Sequence, residues 1–392
     1  MKLKTNTTTT LISVFILLLR TDISNGHGSM VSPRSRNSID YLVNVNTAKC
    51  SNITGSECNN GQASFWYSQG CFIGCPTCDN KSGRRQVDLC GLGKQQTLTN
   101  PLYWSVNRDA EPGSPYDIYK HNPWRAPGSA PVMDACGLAG GSYSRTNGAE
   151  AGDYIKTIYA KHGDIGTQVL KPLPDYTPPI YKRGGTAEVT WHMRNNHGGG
   201  YSYRLCPLPN NFTDLTEECF QQNPLDFVIG EQAIVFPNGT MLKLKPEQTT
   251  FVNKGTHPNG SMWSMIPMPP TLLGPCCLPG PNDTNSTPYH CREEESEVGC
   301  ENSICEPCPG TPGSDCSRCD QVSQVLPNRY KKSREFLPPC QNCEGVDWNG
   351  YSVRDIIKIP ININPGKYIL GFRYDCEATA QVWSNCADIV IE

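Results

Sequence analysis

Apolar and polar positions alternate with a period of two in several stretches of this chain. Ala187-Glu-Val-Thr-Trp191 alternates, and after Gly198-Gly-Gly200 the run Tyr201-Ser-Tyr-Arg-Leu205 alternates again. The pattern predicts two short strands about a tight connection. Near the end, Gly366 to Tyr374 and Gln381 to Ile391 predict a further strand pair. From Cys50 to Cys136 helix signals are weak and the chain is loop-rich, with the aromatic cluster Phe65-Trp66-Tyr67 just before Cys71-Phe-Ile-Gly-Cys75-Pro-Thr-Cys78. Strands bounded by glycine and proline turns predict an all-β sandwich.

Composition agrees with this. The chain has 392 residues with 36 glycines and 33 prolines, which favours turns and short strands and excludes a helix bundle. Its length allows one large domain or two ordinary ones. The 21 cysteines point outside the cytosol, where thiols are kept reduced. The first residues supply a route: Lys2 and Lys4 precede the apolar run Leu11 to Leu19, and Ser24 and Gly26 form a small-residue cleavage site. Residues 1–26 are therefore expected to be a signal peptide, with a mature chain that begins at His27 and is secreted.

Removal of that leader takes away Lys2, Lys4, Arg20 and Asp22 and leaves 31 basic against 36 acidic side chains. This balance offers no basic patch for nucleic acid, and no second apolar run is long enough for a membrane span. Seven Asn-x-Ser/Thr sequons in the expected mature part, at Asn52, Asn80, Asn211, Asn238, Asn259, Asn282 and Asn285, fit glycosylation. Residues 276–343 hold ten of the cysteines, among them Cys305-Glu-Pro-Cys308, Cys316-Ser-Arg-Cys319 and Cys340-Gln-Asn-Cys343. So few large apolar residues build no core, so cross-links must hold the segment: disulfides, with a tetrahedral zinc site as the alternative. An odd cysteine total leaves one thiol free or joined to another chain.

Cleavage before His27 would give one residue three nitrogens, its α-amine and two ring positions. The amine and Nδ1 can chelate a metal together, and an imidazole opposite completes a set suited to copper. His197, in Asn195-Asn-His-Gly-Gly-Gly-Tyr201, is the candidate partner because three glycines let backbone and substrate come close there. His192 competes, but on a strand it faces the other way, so at most one of the two points at the metal.

At these residues the chain resembles a family. His27-Gly-Ser-Met-Val-Ser-Pro-Arg-Ser-Arg36, Trp191 to Cys206, Asn122-Pro-Trp-Arg-Ala-Pro-Gly-Ser-Ala-Pro131 and Gln381-Val-Trp-Ser-Asn-Cys-Ala-Asp-Ile-Val-Ile391 are similar to the lytic polysaccharide monooxygenases, in the branch of chitin-binding type-4 domains. The resemblance does not cover 276–343. It implies an immunoglobulin-like or fibronectin-like β-sandwich with long disulfide-stapled loops. It also implies one copper held by His27 and His197, an external electron donor, and O2 or H2O2 as co-substrate. Counting back from Cys386 puts Trp383 at the axial position, where the family keeps tyrosine or phenylalanine. A tryptophan has no phenol oxygen and can only block that site or tune copper through packing. Gln381 matches a glutamine that in some members hydrogen-bonds the oxygen species at the metal.

The implied reaction is oxidative cleavage of chitin or cellulose at C1 or C4 by a monomeric enzyme. No carboxylate pair recommends a glycoside hydrolase instead. The alternatives are a carbohydrate-binding or cell-wall protein on the same sandwich, to which Trp383 lends weight, and a copper-binding protein without turnover. Trp66, Tyr67, Trp104 and Trp124 are candidates for a sugar-stacking surface or, equally, for packing beneath loops. Asp375 and Glu377 are expected in a solvated loop rather than beside the metal. Because the motif with Trp383 and Cys386 follows the cysteine-rich stretch, residues 276–343 are expected to be an insertion within a single domain over 27–392.

Overall fold

The computed structural model describes residues 27–39, 66–74, 121–143, 154, 156, 159–195, 198–235, 241–267, 352–377 and 379–392. Its strands, in chain order, are β1 (His27–Ser32), β2 (Trp66–Gln69), β3 (Leu138–Ala139), β4 (Ile180–Tyr181), β5 (Thr186–Asn195), β6 (Gly200–Pro207) and β7 (Ala233–Val235). They continue with β8 (Met241–Lys243), β9 (Phe251–Val252), β10 (Trp263–Met265), β11 (Ser352–Lys358), β12 (Gly366–Asp375) and β13 (Gln381–Ile391). A five-stranded sheet has the order β1-β5-β11-β7-β8; an eight-stranded sheet has the order β3-β2-β13-β12-β6-β10-β9, with β4 added on β13. All pairs are antiparallel except β4 with β13. The protein is an all-β sandwich.

The predicted strand pair near the end is β12 with β13, in unbroken register from Gly366↔Ile391 to Asp375↔Val382. The other predicted pair differs in an informative way. Its strands β5 and β6 lie in different sheets, so the segment between them crosses from one layer to the other at one end of the sandwich. Alternation gives each strand an inward face but says nothing about which sheet it joins.

The inward faces meet in an aromatic core. Trp191 of β5 packs on Tyr201 of β6 and on Phe372 and Tyr374 of β12, at centroid distances of 4.7, 5.2 and 5.7 Å. Offset and tilted ring pairs of this kind add to the area they bury. β13 is covered on both sides. Trp383, Ala387, Ile389 and Ile391 face the other sheet, while Val382 packs under Ile73, Ala126 and Ala130, and Cys386 is disulfide-bonded to Cys136. A second disulfide joins Cys206 to Cys219. These cross-links agree with the oxidising compartment that the cysteine content requires. The buried thiol of Cys376 is free.

The segment after β1 is stitched to β13. The Met30 N–H donates to Asn385 Oδ1 at 2.7 Å, and Arg36 donates to both oxygens of Asp388 at 2.8 and 2.6 Å. Asn37 donates to the Cys136 carbonyl and accepts from the Cys386 N–H, each at 2.9 Å. Two stretches on which the resemblance rests are thus in direct contact. Among the described residues no helix is long and apolar enough to cross a membrane. Residues 1–26, Trp104 and the cysteine-rich stretch 276–343 lie outside the described residues; the strands flanking that stretch, β10 and β11, both belong to the sandwich.

Candidate functional site

His27 opens β1 and pairs in register with Asn195 at the end of β5. The ring of His27 and the whole of His197 lie outside the described residues; the frame that carries them does not. That frame converges on Tyr374. Its hydroxyl donates to the Gly198 carbonyl at 2.9 Å. Its ring lies against Gly28 so closely that a Cβ there would stand 2.9 Å from Tyr374 Cδ1 and 3.3 Å from Trp191 Cζ3. One tyrosine therefore touches the residue after His27 and the residue after His197.

The glycines beside His197 serve this packing. A Cβ on Gly200 would stand 2.4 Å from both the Ser264 carbonyl and Trp124 Cη2, so the corner closes onto the protein's own indole. Their close approach is to neighbouring chain, whereas the sequence expectation gave it partly to substrate.

The segments that carry His27 and His197 are thus held together by one side chain. Among the described residues no group of three or more His, Cys, Asp or Glu side chains gathers as a metal site. His192 belongs elsewhere: it neighbours inward-facing Trp191 on β5, and its Nδ1 lies 3.3 Å from Ser352 Oγ of β11.

No protein-family model matches the chain. No curated protein matches it either. Among solved structures it is similar to a chitin-binding domain from Burkholderia pseudomallei, at 11% identity and a TM-score of 0.32, over 94% of this chain and 100% of that one. The sandwich stands on the strand register described above.

The expected sugar-stacking surface is not formed by the rings proposed for it. Trp66, Tyr67 and Trp124 are all buried. Tyr67 stacks on Trp383 at 4.2 Å, Trp66 meets Tyr154 edge-on at 5.5 Å, and Trp124 fills the space under Gly200. Loops on the outer face of the eight-stranded sheet bury Trp66 and Trp124, which strand periodicity cannot reveal, while Tyr67 lies in the core between the sheets. Trp383 is likewise a core residue, in register with Tyr374 on one side and Tyr67 on the other.

Asp375 and Glu377 are not solvated. Asp375 is fully buried, accepting from Arg373 Nε at 2.7 Å and from the Gly128 N–H at 2.8 Å. Arg373 also donates to Glu217 and to the Ala130 carbonyl, and Arg204 pairs with the same Glu217. The two guanidinium groups hold the Glu217 carboxyl below its ordinary range against the opposing effect of burial. The Glu377 carbonyl accepts from Asn122 Nδ2 at 2.7 Å. These acids hold loops to β12. Arg373 stands two residues before Asp375 and so shares its face of the strand, a pairing visible in the sequence.

Asp355 escaped the sequence analysis. It points inward from β11 between Val353 and Ile357, and accepts from Tyr201 and Tyr203 hydroxyls at 3.1 and 3.0 Å and from Gln232 Nε2 at 2.9 Å. Burial pushes its carboxyl up to about 6. An acid in the apolar register of an alternating strand was the available signal.

Gln381 opens β13 on the inward face, fully buried, with its Oε1 accepting from Thr379 Oγ1 at 3.0 Å. Cys376 lies beside Tyr374, Thr379 and Trp383, and burial pushes its thiol up to about 12. The sulfur there is held protonated.

Proposed function

We propose that this chain is a secreted, monomeric, copper-dependent monooxygenase that oxidatively cleaves glycosidic bonds of a structural polysaccharide, chitin or cellulose, at C1 or C4. The observation that carries the reading is the contact of Tyr374 with both Gly28 and Gly198, which brings the segments of His27 and His197 to one end of the sandwich. A family resemblance built on an N-terminal histidine, a distant histidine and a closing strand demands that those three parts meet. The disulfides support a route outside the cytosol.

The His27 amine and ring and the His197 ring would hold the metal, and Tyr374 would set the distance between their strands. Trp191, Tyr374 and Trp383 supply a dry aromatic wall beneath. Bound copper supplies one-electron redox chemistry that activates the co-substrate. The overall change converts a C–H bond, O2, two electrons and two protons into C–OH and water, or a C–H bond and H2O2 into the same products. An external donor provides the electrons in the first case.

The test is product analysis by mass spectrometry after incubation with copper, ascorbate and chitin or cellulose. Aldonic acids or C4 ketones are expected; binding without oxidised sugars would identify a carbohydrate-binding protein instead. Copper titration sharpens this: His197→Ala should weaken binding by more than the roughly 10–100-fold that loss of a partner behind a ligand costs, while His192→Ala should leave it unchanged.

A further inference from the structure

The corner that follows His197 has no side chains of its own. Gly198 and Gly199 take φ values of 68° and 88°, a conformation that glycine adopts without strain, and Gly200 opens β6. Such a stretch is held by whatever packs on it. The Gly198 carbonyl accepts from the Tyr374 hydroxyl, and the Gly199 carbonyl accepts from the Ile266 N–H at 3.0 Å. A Cβ on Gly199 would stand 2.1 Å from the Asp375 carbonyl oxygen, so that residue lies against backbone. Gly200 rests on an indole: a Cβ there would stand 2.4 and 2.5 Å from Cη2 and Cζ3 of Trp124.

The indole is held as firmly as the corner is bare. Trp124 is buried, and its backbone N–H donates to the Cys376 carbonyl at 3.1 Å. Before it, Asn122 Nδ2 donates to the Glu377 carbonyl at 2.7 Å. After it, the Gly128 N–H donates to Asp375 Oδ2 at 2.8 Å, and the Ala130 carbonyl accepts from Arg373 at 2.8 Å. The arm from Asn122 to Ala130 is thus fixed along its length to the end of β12 and the two residues beyond it. Arg373 and Asp375 form a fully buried ion pair at 2.7 Å, so the anchor itself does not swing in solvent. A flat ring on a pinned backbone acts as a spacer, because a close-packed interior transmits a displacement rather than absorbing it.

We propose that Trp124 is a positioning residue for His197: its indole sets the height of the corner at Gly200, three residues along the chain from the histidine. The place of the ring that would complete the copper site follows from that height. The role of His197 as a ligand rests on the proposed monooxygenase function; the placement of its ring by Trp124 does not.

The test is Trp124→Phe, which withdraws the atoms that face Gly200. Copper titration should show about tenfold weaker binding, the lower end of what loss of a partner behind a ligand costs, and the Cu(II) electron paramagnetic resonance spectrum should change its hyperfine splitting. In the metal-free protein the His197 ring resonances should shift in NMR spectra, while those of His192 stay. Ile389→Ala, near the far end of β13, lowers Tm without touching the corner and should move none of these signals. Unchanged affinity, spectrum and His197 resonances in folded Trp124→Phe overturn the proposal, and so do equal changes in Ile389→Ala. If Trp124→Phe does not fold, Asn122→Ala frees the arm from the Glu377 carbonyl with the indole in place, and the same signals should change to a smaller extent; silence there overturns the proposal too. If the parent protein binds no copper, the monooxygenase reading fails, and the NMR comparison still decides whether Trp124 places His197.

Discussion

The inward face of β13 has two halves. From Ala387 through Ile389 to Ile391 it is apolar and sealed against the opposite sheet; from Gln381 through Trp383 to Asn385 it carries amides and an indole. The apolar half needs only volume, and many side chains of similar size would fill it. In the polar half specific atoms must meet, as Asn385 meets the Met30 N–H and Gln381 accepts from the Thr379 hydroxyl. The contrast teaches where the fold was free to be a core and where it was constrained to be something else. A buried polar group survives when it grips chain or ligand.

This comparison can be broken in the following ways. Ile389→Ala, in the sealed half, should cost about 2–5 kcal/mol by transfer and cavity terms and leave copper affinity unchanged. Denaturant unfolding with parallel copper titration measures both, and a large loss of affinity would erase the distinction between the halves. Asp355 supplies a pH test at mid-core. Its folded carboxyl is raised, so its contribution is complete below about pH 3.8 and is lost as pH rises through about 6. The two-unit difference corresponds to on the order of 3 kcal/mol, and Asp355→Asn should flatten the stability profile across that window. A profile as steep as the parent's would relocate the titrating group.

Asn385→Leu, in the polar half, strands the buried Met30 N–H and should cost about 1–3 kcal/mol. Unlike Ile389→Ala, it should also weaken copper binding, because β1 loses one of its ties to the large sheet; unchanged affinity would mean that the bond to Asn385 does not position β1. The smallest effect is expected for Tyr374→Phe. It keeps the ring against Gly28 but removes the bond to the Gly198 carbonyl, for about 1 kcal/mol and a severalfold loss of copper affinity by calorimetry. A silent result would reduce Tyr374 to a packing residue.

Periodicity made β5, β6, β12 and β13 legible, because each exposes one face to the same core. It did not reveal that β5 and β6 join different sheets, since pairing depends on contacts far away in sequence. The burial of Trp66 and Trp124 was hidden for a related reason: loops, including the stretch from His121 to Tyr143, cover the outer face of the large sheet, while Tyr67 turns into the core between the sheets. Asp375 read as solvated because an acid before a strand usually is, although Arg373 on the same face already offered a partner. At the candidate site, resemblance pointed to Gln381, but nothing in the sequence singled out Tyr374, which acquires meaning only through its contacts with Gly28 and Gly198.

The bond from Met30 to Asn385 spans 355 residues. It ties the frame of His27 to a strand far away along the chain, so the first histidine lacks its setting until β13 has been made and docked. Long-range closure of this kind is slow and comes late. The redox centre proposed here would come into being only once β13 has joined β1, which confines its chemistry to folded molecules.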